Sequence, residues 1–283
     1  MKRILLDCSV LRGAPSAAFS TVSLQFEFVI TDKTFAELYT HDLDNGRNVA
    51  AAEEEAARFL SQVATSARVV MHDVDPIKFE IERGVSGRAA PITIMSSDPP
   101  NAIPRLQPDE LQQMLMVSED VGKLWDFKLP PGFEEAGRQL RKRREDRDLW
   151  PFISSRLWNS NMVRNTQEAA FYHFVERARE SDWTVSNNFC PQPDWITFGW
   201  MHVHGAYIYW KYAKHGDEQP SDSPNVSFDM SYAAHMAVCD GLLASDKTLL
   251  NMGWACWPKK RDSLYTYDPG RGEIVPYKPD WLE

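Results

Sequence analysis

No uninterrupted apolar stretch of about 18 residues occurs in the sequence, and a membrane-spanning helix needs roughly that length. The chain starts with the basic residues Lys2 and Arg3, but Asp7 ends the short apolar run that follows, which is too brief for a signal peptide. The four cysteines are scattered and lack the paired spacing of a zinc site. We therefore expect no membrane partner and a reduced, cytoplasmic environment.

Positive charge is also in short supply. The formal net charge is −9 over 283 residues, which argues against broad electrostatic wrapping of nucleic acid. It does not exclude an enzyme that acts on nucleic acid, because catalytic carboxylates add negative charge that bound cations offset. With 43% hydrophobic and 25% charged residues, the chain is an ordinary globular one, long enough for one large domain or two modest ones.

The one dense basic cluster lies in the stretch Arg138–Arg147. A basic helix of this kind can hold a phosphate backbone, and Arg141 and Arg143 are its central candidates. An alternative interpretation is a solvated helix face on which neighbouring acids neutralise the basic residues. The acids available for this are Glu134, Glu135, Glu145 and Asp146.

The two ends of the chain have an α/β pattern, with apolar strands of the kind that are buried on both faces in a parallel sheet. At the amino-terminal end the pattern predicts strands at 3–7, 25–30 and 69–71, helices at 33–42 and 49–63, and a loop over 10–22 because of Gly13 and Pro15. At the carboxy-terminal end it predicts a helix at 229–238, a strand at 241–244, a helix at 247–252, the start of a strand at 254–257, and a hairpin from 264 to 277.

Between these ends the alternation stops. Residues 75–215 are rich in Pro and Trp, and they predict helices at 108–118, 133–147, 166–180 and 200–213. We therefore expect an α/β core made from residues 1–74 and 216–283, with a largely helical insertion, 75–215, over one end of it.

Acidic residues stand where the predicted strands end. Asp7 closes the first apolar run, Asp246 follows the strand near the carboxy terminus, Glu37 lies on the helix after the second strand, and Asp229 opens a helix. The carboxyl edge of a parallel sheet is where open α/β folds bind ligands. Carboxylates that meet there repel one another unless a hard cation such as Mg²⁺ or Mn²⁺ neutralises them. Asp240 is a secondary candidate for the same group.

Three stretches resemble the motifs of PIN-like domains. Ile4–Leu11 is similar to their first strand, which ends in an Asp followed two residues later by Ser, Thr or Asn. Phe28–Leu38 resembles their second strand and the helix that bears a Glu. Asp229–Lys247 is the closest match, since PIN-like domains have there an Asp, an Ala-rich helix and an apolar strand closed by Thr-x-Asp. Here Ala244 stands in place of the Thr, followed by Ser245.

The resemblance implies a three-layer α/β core with a central parallel sheet, and the activity of a metal-dependent nuclease, with RNA favoured over DNA. It implies that Asp7, Glu37, Asp229 and Asp246 are the catalytic metal ligands. Ser9 and Ser245 then become candidates for contact with the substrate or a ligand water. Toxin-type relatives have an inhibitory protein partner, and the resemblance makes such a partner conceivable here.

Two other classes of function stay open. The first is a catalytically inactive PIN-like module for binding or assembly, because a fold does not establish a function. The second is another metal-dependent phosphohydrolase with an acidic cluster on a similar sheet. A phosphatase with an aspartyl intermediate would need Asp-x-Asp after the first strand, and Ser9 occupies the second position here. Each acid alone is also compatible with a structural role, as a helix cap or a turn residue.

Overall fold

The computed structural model describes residues 1–31, 33–34, 37–38, 49–61, 67–71, 74–90, 93–94, 133–141, 149–216 and 225–282. The predicted helix at 108–118 and Arg143 lie outside the described residues, as does most of the predicted helix at 33–42.

The described residues form one seven-stranded sheet. Its strands are β1 (Lys2–Leu6), β2 (Phe26–Thr31), β3 (Ala67–Met71), β4 (Thr93–Ile94), β5 (Gly241–Leu243), β6 (Leu264–Asp268) and β7 (Glu273–Pro276). The spatial order is β4-β3-β2-β1-β5-β6-β7. The five central strands are parallel, and β4 and β7 pair antiparallel at the two edges. The mixed α/β class and the mainly parallel sheet are thus as the sequence predicted.

The described helices are α1 (Cys8–Gly13), α2 (Ser16–Val22), α3 (Val49–Ser61), α4 (Val74–Arg83), α5 (Phe133–Arg141), α6 (Leu149–Leu157), α7 (Ser160–Glu180), α8 (Ile196–His215), α9 (Asn225–His235) and α10 (Lys247–Cys256). Short 3₁₀ segments occur at Gly87–Ala89, Pro258–Ser263 and Asp280–Leu282. None of the helices in the described ranges is long and apolar enough to span a membrane.

Alternate strand residues face opposite sides of the sheet, and helices cover both sides. On one side Ile4 and Leu6 of β1 pack with α1, α2 and α3. On the other side Leu5 packs in a larger cluster with α4 and with α6 to α10. Helices from 149–213 therefore share a hydrophobic cluster with the sheet itself. The division into a core and an insertion stays a prediction.

Two parts of the sequence-based prediction of secondary structure are wrong. Residues 10–22 are not a loop but form most of α1 and α2, because the Asp7 side chain caps α1 and both helices bury apolar residues. Residues 254–256 do not begin a strand but complete α10, since Leu249, Met252, Gly253 and Cys256 are buried at helical spacing.

Two charged side chains, one buried and one partly buried, hold helix ends. The carboxylate of Glu80, in α4, accepts hydrogen bonds at 2.7–2.9 Å from the N–H groups of Gly87, Ile196 and Thr197 and from the Thr197 hydroxyl. It therefore caps the start of α8, where Trp195 provides no side-chain cap. Burial nevertheless raises the pKa of Glu80 to about 7.

The second charged side chain is Lys260, which hydrogen-bonds to the turn after α9. Its Nζ donates to the carbonyl oxygens of Met236, Ala237 (3.0 Å) and Cys239 (2.7 Å). Carbonyl groups at a helix end carry partial negative charge, so an ammonium group is well placed there. Burial lowers the pKa of Lys260 to about 8.

Strand β5 comes very close to the segment that leads into β6. A Cβ atom at Gly241 would overlap the carbonyl oxygen of Ser263. Only glycine fits at this position without moving the backbone. On its other side β5 pairs with β1, where Gly241 stands opposite Ile4 and Leu243 opposite Leu6.

Candidate active site

The chain reverses its direction across the sheet between β1 and β5. From β1 it proceeds outward to β2 and β3, and after the helical region it returns to β5 on the other side of β1. Such a reversal opens a crevice at the carboxyl ends of the two strands, where open α/β folds bind ligands. Asp7 follows β1 and Asp246 follows β5, so both acids stand at this edge.

Asp7 is fixed to both strands. Its backbone N–H donates to the carbonyl oxygen of Leu243 at the end of β5, at 3.0 Å. Its Oδ2 accepts hydrogen bonds from the backbone N–H of Ser9, at 3.2 Å, and from the Ser9 hydroxyl. That hydroxyl in turn accepts from the N–H of Ser245 at 2.9 Å. The predicted substrate-contacting pair is thus present at the edge, where Ser9 bonds to Asp7 and Ser245 contributes its backbone.

Glu37 approaches from the segment after β2. Its Oε2 accepts a hydrogen bond from the hydroxyl of Tyr232 at 3.0 Å. The guanidinium of Arg12 donates to the backbone carbonyl of Glu37 at 3.0 Å. Thr34, one turn earlier, donates through its hydroxyl to the carbonyl oxygen of Leu6 at 3.2 Å, which ties this segment to the end of β1. The segment that carries Glu37 is therefore attached to the same edge as Asp7.

Asp229 and Asp246 complete the group. Asp229 does not open α9, as the sequence suggested, but lies one turn inside a helix that begins at Asn225. No hydrogen bond or ion pair to its carboxylate is found among the described residues. Asp246 is the exposed N-cap of α10 and accepts from the N–H of Leu249 at 2.9 Å.

The four carboxyl groups act on one another electrostatically. Burial first, and then repulsion by the other acids, raises the pKa of Asp229 to about 8 and that of Glu37 to about 7. Burial raises the pKa of Asp7 to about 6, and the charge of Asp246 adds to the shift. Four segments far apart in sequence therefore bring their negative charges within electrostatic reach of one another.

Electrostatic coupling is not yet coordination. Within the described ranges, no three Asp, Glu, His or Cys side chains stand close enough to hold one metal ion. The raised pKa values and the lack of a ready coordination group are compatible. Like charges interact over several ångströms, whereas Mg²⁺ and Ca²⁺ need oxygens at about 2.0–2.6 Å. Shared binding of an ion requires rotamer changes that bring the carboxylate oxygens closer together.

Asp240 is not part of this group. It precedes β5 and therefore lies at the amino end of the strand, at the opposite edge of the sheet. Its carboxylate accepts from the backbone N–H of Arg3 at 2.9 Å and forms an ion pair with Arg88 at 2.6 Å. These partners lower the pKa of Asp240, although burial acts in the other direction. A structural role accounts for all of these contacts.

The described part of the basic cluster packs on α8. The guanidinium of Arg141 donates to the carbonyl oxygen of His215. Arg138 forms ion pairs with Glu134 and Glu135 at 3.5 and 3.6 Å. The two ion pairs offset part of the positive charge of Arg138, whereas the carbonyl group that Arg141 contacts is neutral. Both interpretations of this stretch stay predictions.

Sequence reasoning missed three residues that hold the acids in place. Tyr232 stands three positions after Asp229, and residues at that spacing share a helix face, so the spacing was a usable signal. Arg12 and Thr34 reach the site through contacts with backbone carbonyl groups, which leave no motif.

Comparisons with known proteins found no relative. No family model matches the sequence, and neither a curated protein nor a solved structure matches the chain. Any function has to be inferred from the residues of the chain itself. The PIN-like resemblance accordingly stays a hypothesis that depends on the three motifs.

Proposed function

We propose that this chain is a metal-dependent nuclease with a PIN-like core, and that it hydrolyses phosphodiester bonds, with RNA as the favoured substrate. The observation that supports this most is the gathering of Asp7, Glu37, Asp229 and Asp246 at the edge where β1 and β5 end. Three of them have raised pKa values because burial and mutual repulsion disfavour their charged forms. A divalent cation would relieve that repulsion.

The chemistry of the donors fits Mg²⁺ or Mn²⁺. Both are hard cations that prefer carboxylate and water oxygens, and no thiol or imidazole belongs to the group of four acids. Asp7 and Asp246 would hold the ion from the strand ends, and Glu37 and Asp229 would hold it from the helices, directly or through water. In hydrolysis of a phosphodiester, such an ion provides an activated water and neutralises charge on the phosphate.

The residues of the chain would do the remaining work. Ser9 fixes one oxygen of Asp7 and so restricts the rotation of the carboxylate. Arg12 holds the segment of Glu37 at the edge. The acids interact, so each step of their titration belongs to the set of four and not to one residue. We therefore assign no single acid as the general base.

Asp7→Asn and Asp246→Asn test the proposal. Each substitution removes a negative charge without changing the size of the side chain. We expect both variants to lose Mn²⁺-dependent cleavage of single-stranded RNA and to keep the circular dichroism spectrum of the unmodified chain. Asp240→Asn is the matched control, because it removes the same charge at the opposite edge, and cleavage should persist. Unchanged turnover in both site variants would refute the assignment.

A catalytically inactive binding or assembly module is the second candidate. The absence of a ready coordination sphere among the described residues favours it. Isothermal titration with Mn²⁺ separates the two candidates, because an inactive module would keep the four acids without taking up the ion. A protein partner that blocks the edge is compatible with either candidate.

A further inference from the structure

Helix α9 carries two groups that face the acidic edge. Asp229 and Tyr232 are three residues apart, and residues at this spacing lie on the same face of a helix. Burial is the main cause of the raised pKa of both groups. The charges of Asp7 and Glu37 add to the shift in both, and that of Asp246 adds to the shift of Asp229. Both side chains are therefore close to the other acids.

Tyr232 is only 1% exposed, and its hydroxyl donates to Oε2 of Glu37 at 3.0 Å. A hydrogen bond with Thr34 also acts on this phenol. Thr34 and Glu37 belong to the same segment, and Thr34 is bonded to the end of β1. Tyr232 thus connects α9 to the segment that carries Glu37, in a place that water does not reach.

A glutamate has three rotatable bonds, and a hydrogen bond from a rigid partner restricts them. Donors that lie behind a metal ligand orient it and commonly change metal affinity by 10–100-fold when they are removed. The phenol of Tyr232 is rigid, buried and aimed at one oxygen of the carboxylate. The other oxygen is then held in a defined direction.

We propose that Tyr232 is a positioning residue that orients Glu37 for metal binding, so that α9 controls two of the four acids, Asp229 directly and Glu37 through Tyr232. The inference rests on the proposed function, since it assigns a role within the same metal site. It gives a role to Tyr232, which lies within the stretch Asp229–Lys247 but is not one of the acids or hydroxyl residues that define the resemblance. It also makes α9 the helix that positions two of the ligands.

A double-mutant cycle tests the role. The Mn²⁺ dissociation constant of the full chain is measured by isothermal titration, without RNA, for the unmodified chain, Tyr232→Phe, Glu37→Gln and the double variant. Tyr232→Phe keeps the ring and removes only the hydroxyl. We expect it to weaken Mn²⁺ binding about 10-fold in the unmodified background and less than about twofold in the Glu37→Gln background.

Tyr209→Phe is the matched control. Tyr209 is a buried tyrosine of α8, and loss of its hydroxyl should leave Mn²⁺ affinity within about twofold. Equal weakening by Tyr232→Phe in both backgrounds would mean that Tyr232 acts through packing and not through Glu37. No weakening in either background would overturn the role as well.

Two further outcomes are distinguishable from these. If the unmodified chain takes up no Mn²⁺, the proposed function fails, and the positioning role fails with it. If Tyr232→Phe does not fold, Tyr232→Met replaces it, because this change keeps a large apolar side chain and removes the hydroxyl without altering any of the four acids. Tyr232→Met should weaken Mn²⁺ binding by about 10-fold, and unchanged affinity would overturn the proposal.

Discussion

The hydroxyl of Ser9 accepts a hydrogen bond from the backbone N–H of Ser245, with 2.9 Å between the two atoms. The same hydroxyl donates to the carboxylate of Asp7. Ser9 therefore links the end of β5 to the acid that follows β1, across the place where the chain reverses its direction in the sheet. One small side chain thus adds to the backbone pairing of β1 and β5 a direct link between the segments that carry Asp7 and Asp246.

Ser9→Ala should lower the free energy of unfolding by about 1 kcal/mol, because two hydrogen bonds in a partly buried place are lost. Urea-induced unfolding measures this change. Ser20→Ala is the control, since its hydroxyl donates to the Ser16 carbonyl on the exposed surface of α2, and its effect should stay below about 0.5 kcal/mol. Equal stability of Ser9→Ala and the unmodified chain would show that solvent replaces both bonds.

Asp229→Asn should stabilise the metal-free protein at alkaline pH. The folded chain raises the pKa of Asp229 from 3.8 to about 8, so the native state keeps a proton that the unfolded chain has lost. The contribution of this group to stability is complete below pH 3.8 and is lost as the pH rises through 8. Asparagine cannot ionise, so the variant should be more stable at pH 9 by on the order of 5 kcal/mol, the free-energy equivalent of raising the pKa from 3.8 to about 8.

Unfolding in the presence of a chelator, at pH 5 and pH 9, measures the effect of Asp229→Asn. Asp262→Asn makes the same change of charge at an exposed position and should leave the pH dependence unaltered. A variant of Asp229 with the same pH dependence as the unmodified chain would contradict the repulsion among the four acids.

Glu80→Gln should destabilise the fold by about 2–4 kcal/mol. The carboxylate accepts from four donors, and an amide in its place would turn an N–H group toward the N–H and hydroxyl of Thr197. Thermal or urea unfolding is the measurement. Glu82→Gln removes a negative charge two residues further along α4, where the side chain makes a 3.8 Å ion pair with Lys78 at the surface. Its effect should be under about 1 kcal/mol, and a similar loss in both variants would contradict the capping role of Glu80.

Lys260→Met should cost about 1.5–3 kcal/mol of stability, because three carbonyl oxygens after α9 lose a charged donor. The same substitution at the exposed neighbour Lys259 provides the control and should be nearly neutral. Since α9 carries Asp229, Lys260→Met should also weaken Mn²⁺ binding. An unchanged unfolding free energy would show that water satisfies the three carbonyl groups.

Charge reversal at Arg141 and Arg143 tests the basic cluster. If it holds the phosphate backbone, Arg141→Glu with Arg143→Glu weakens RNA binding, and the slope of log affinity against log salt falls by about 0.7 for each lost phosphate contact. Arg164→Glu reverses a charge on the exposed surface of α7 and serves as the control. Unaltered affinity and slope would leave the cluster as a solvated helix face.

The sheet was largely predictable because its strands are apolar on both faces. Strands β1, β2 and β5 begin and end within one or two residues of their predicted bounds. The loop predicted over 10–22 was wrong because Gly13 and Pro15 are local signals, whereas the burial of Leu11 and Phe19 depends on the rest of the fold.

The candidate site was predictable in part because the strands that precede two of its acids were predictable. Acids that follow parallel strands meet at one edge, and this rule predicted that Asp7 and Asp246 lie at the same edge. That their strands are neighbours is a finding of the structure. The rule also separates Asp240 from them, because a residue before a strand lies at the other edge, and the sequence alone already held that information. The spacing of Tyr232 from Asp229 was a local signal for the residue, but its partner Glu37 lies 195 positions away, and no local pattern predicts that hydrogen bond.

Gly241 has no room for a side chain, and its strand is only three residues long. A methyl group there would displace β5 from the Ser263 backbone. Because β5 is so short, we expect the displacement to reach its carboxyl end. Ser245 and Asp246 follow that end of the strand. Gly241 therefore influences the position of the acidic edge, although it lies at the opposite end of β5 and is not one of the acids of the site.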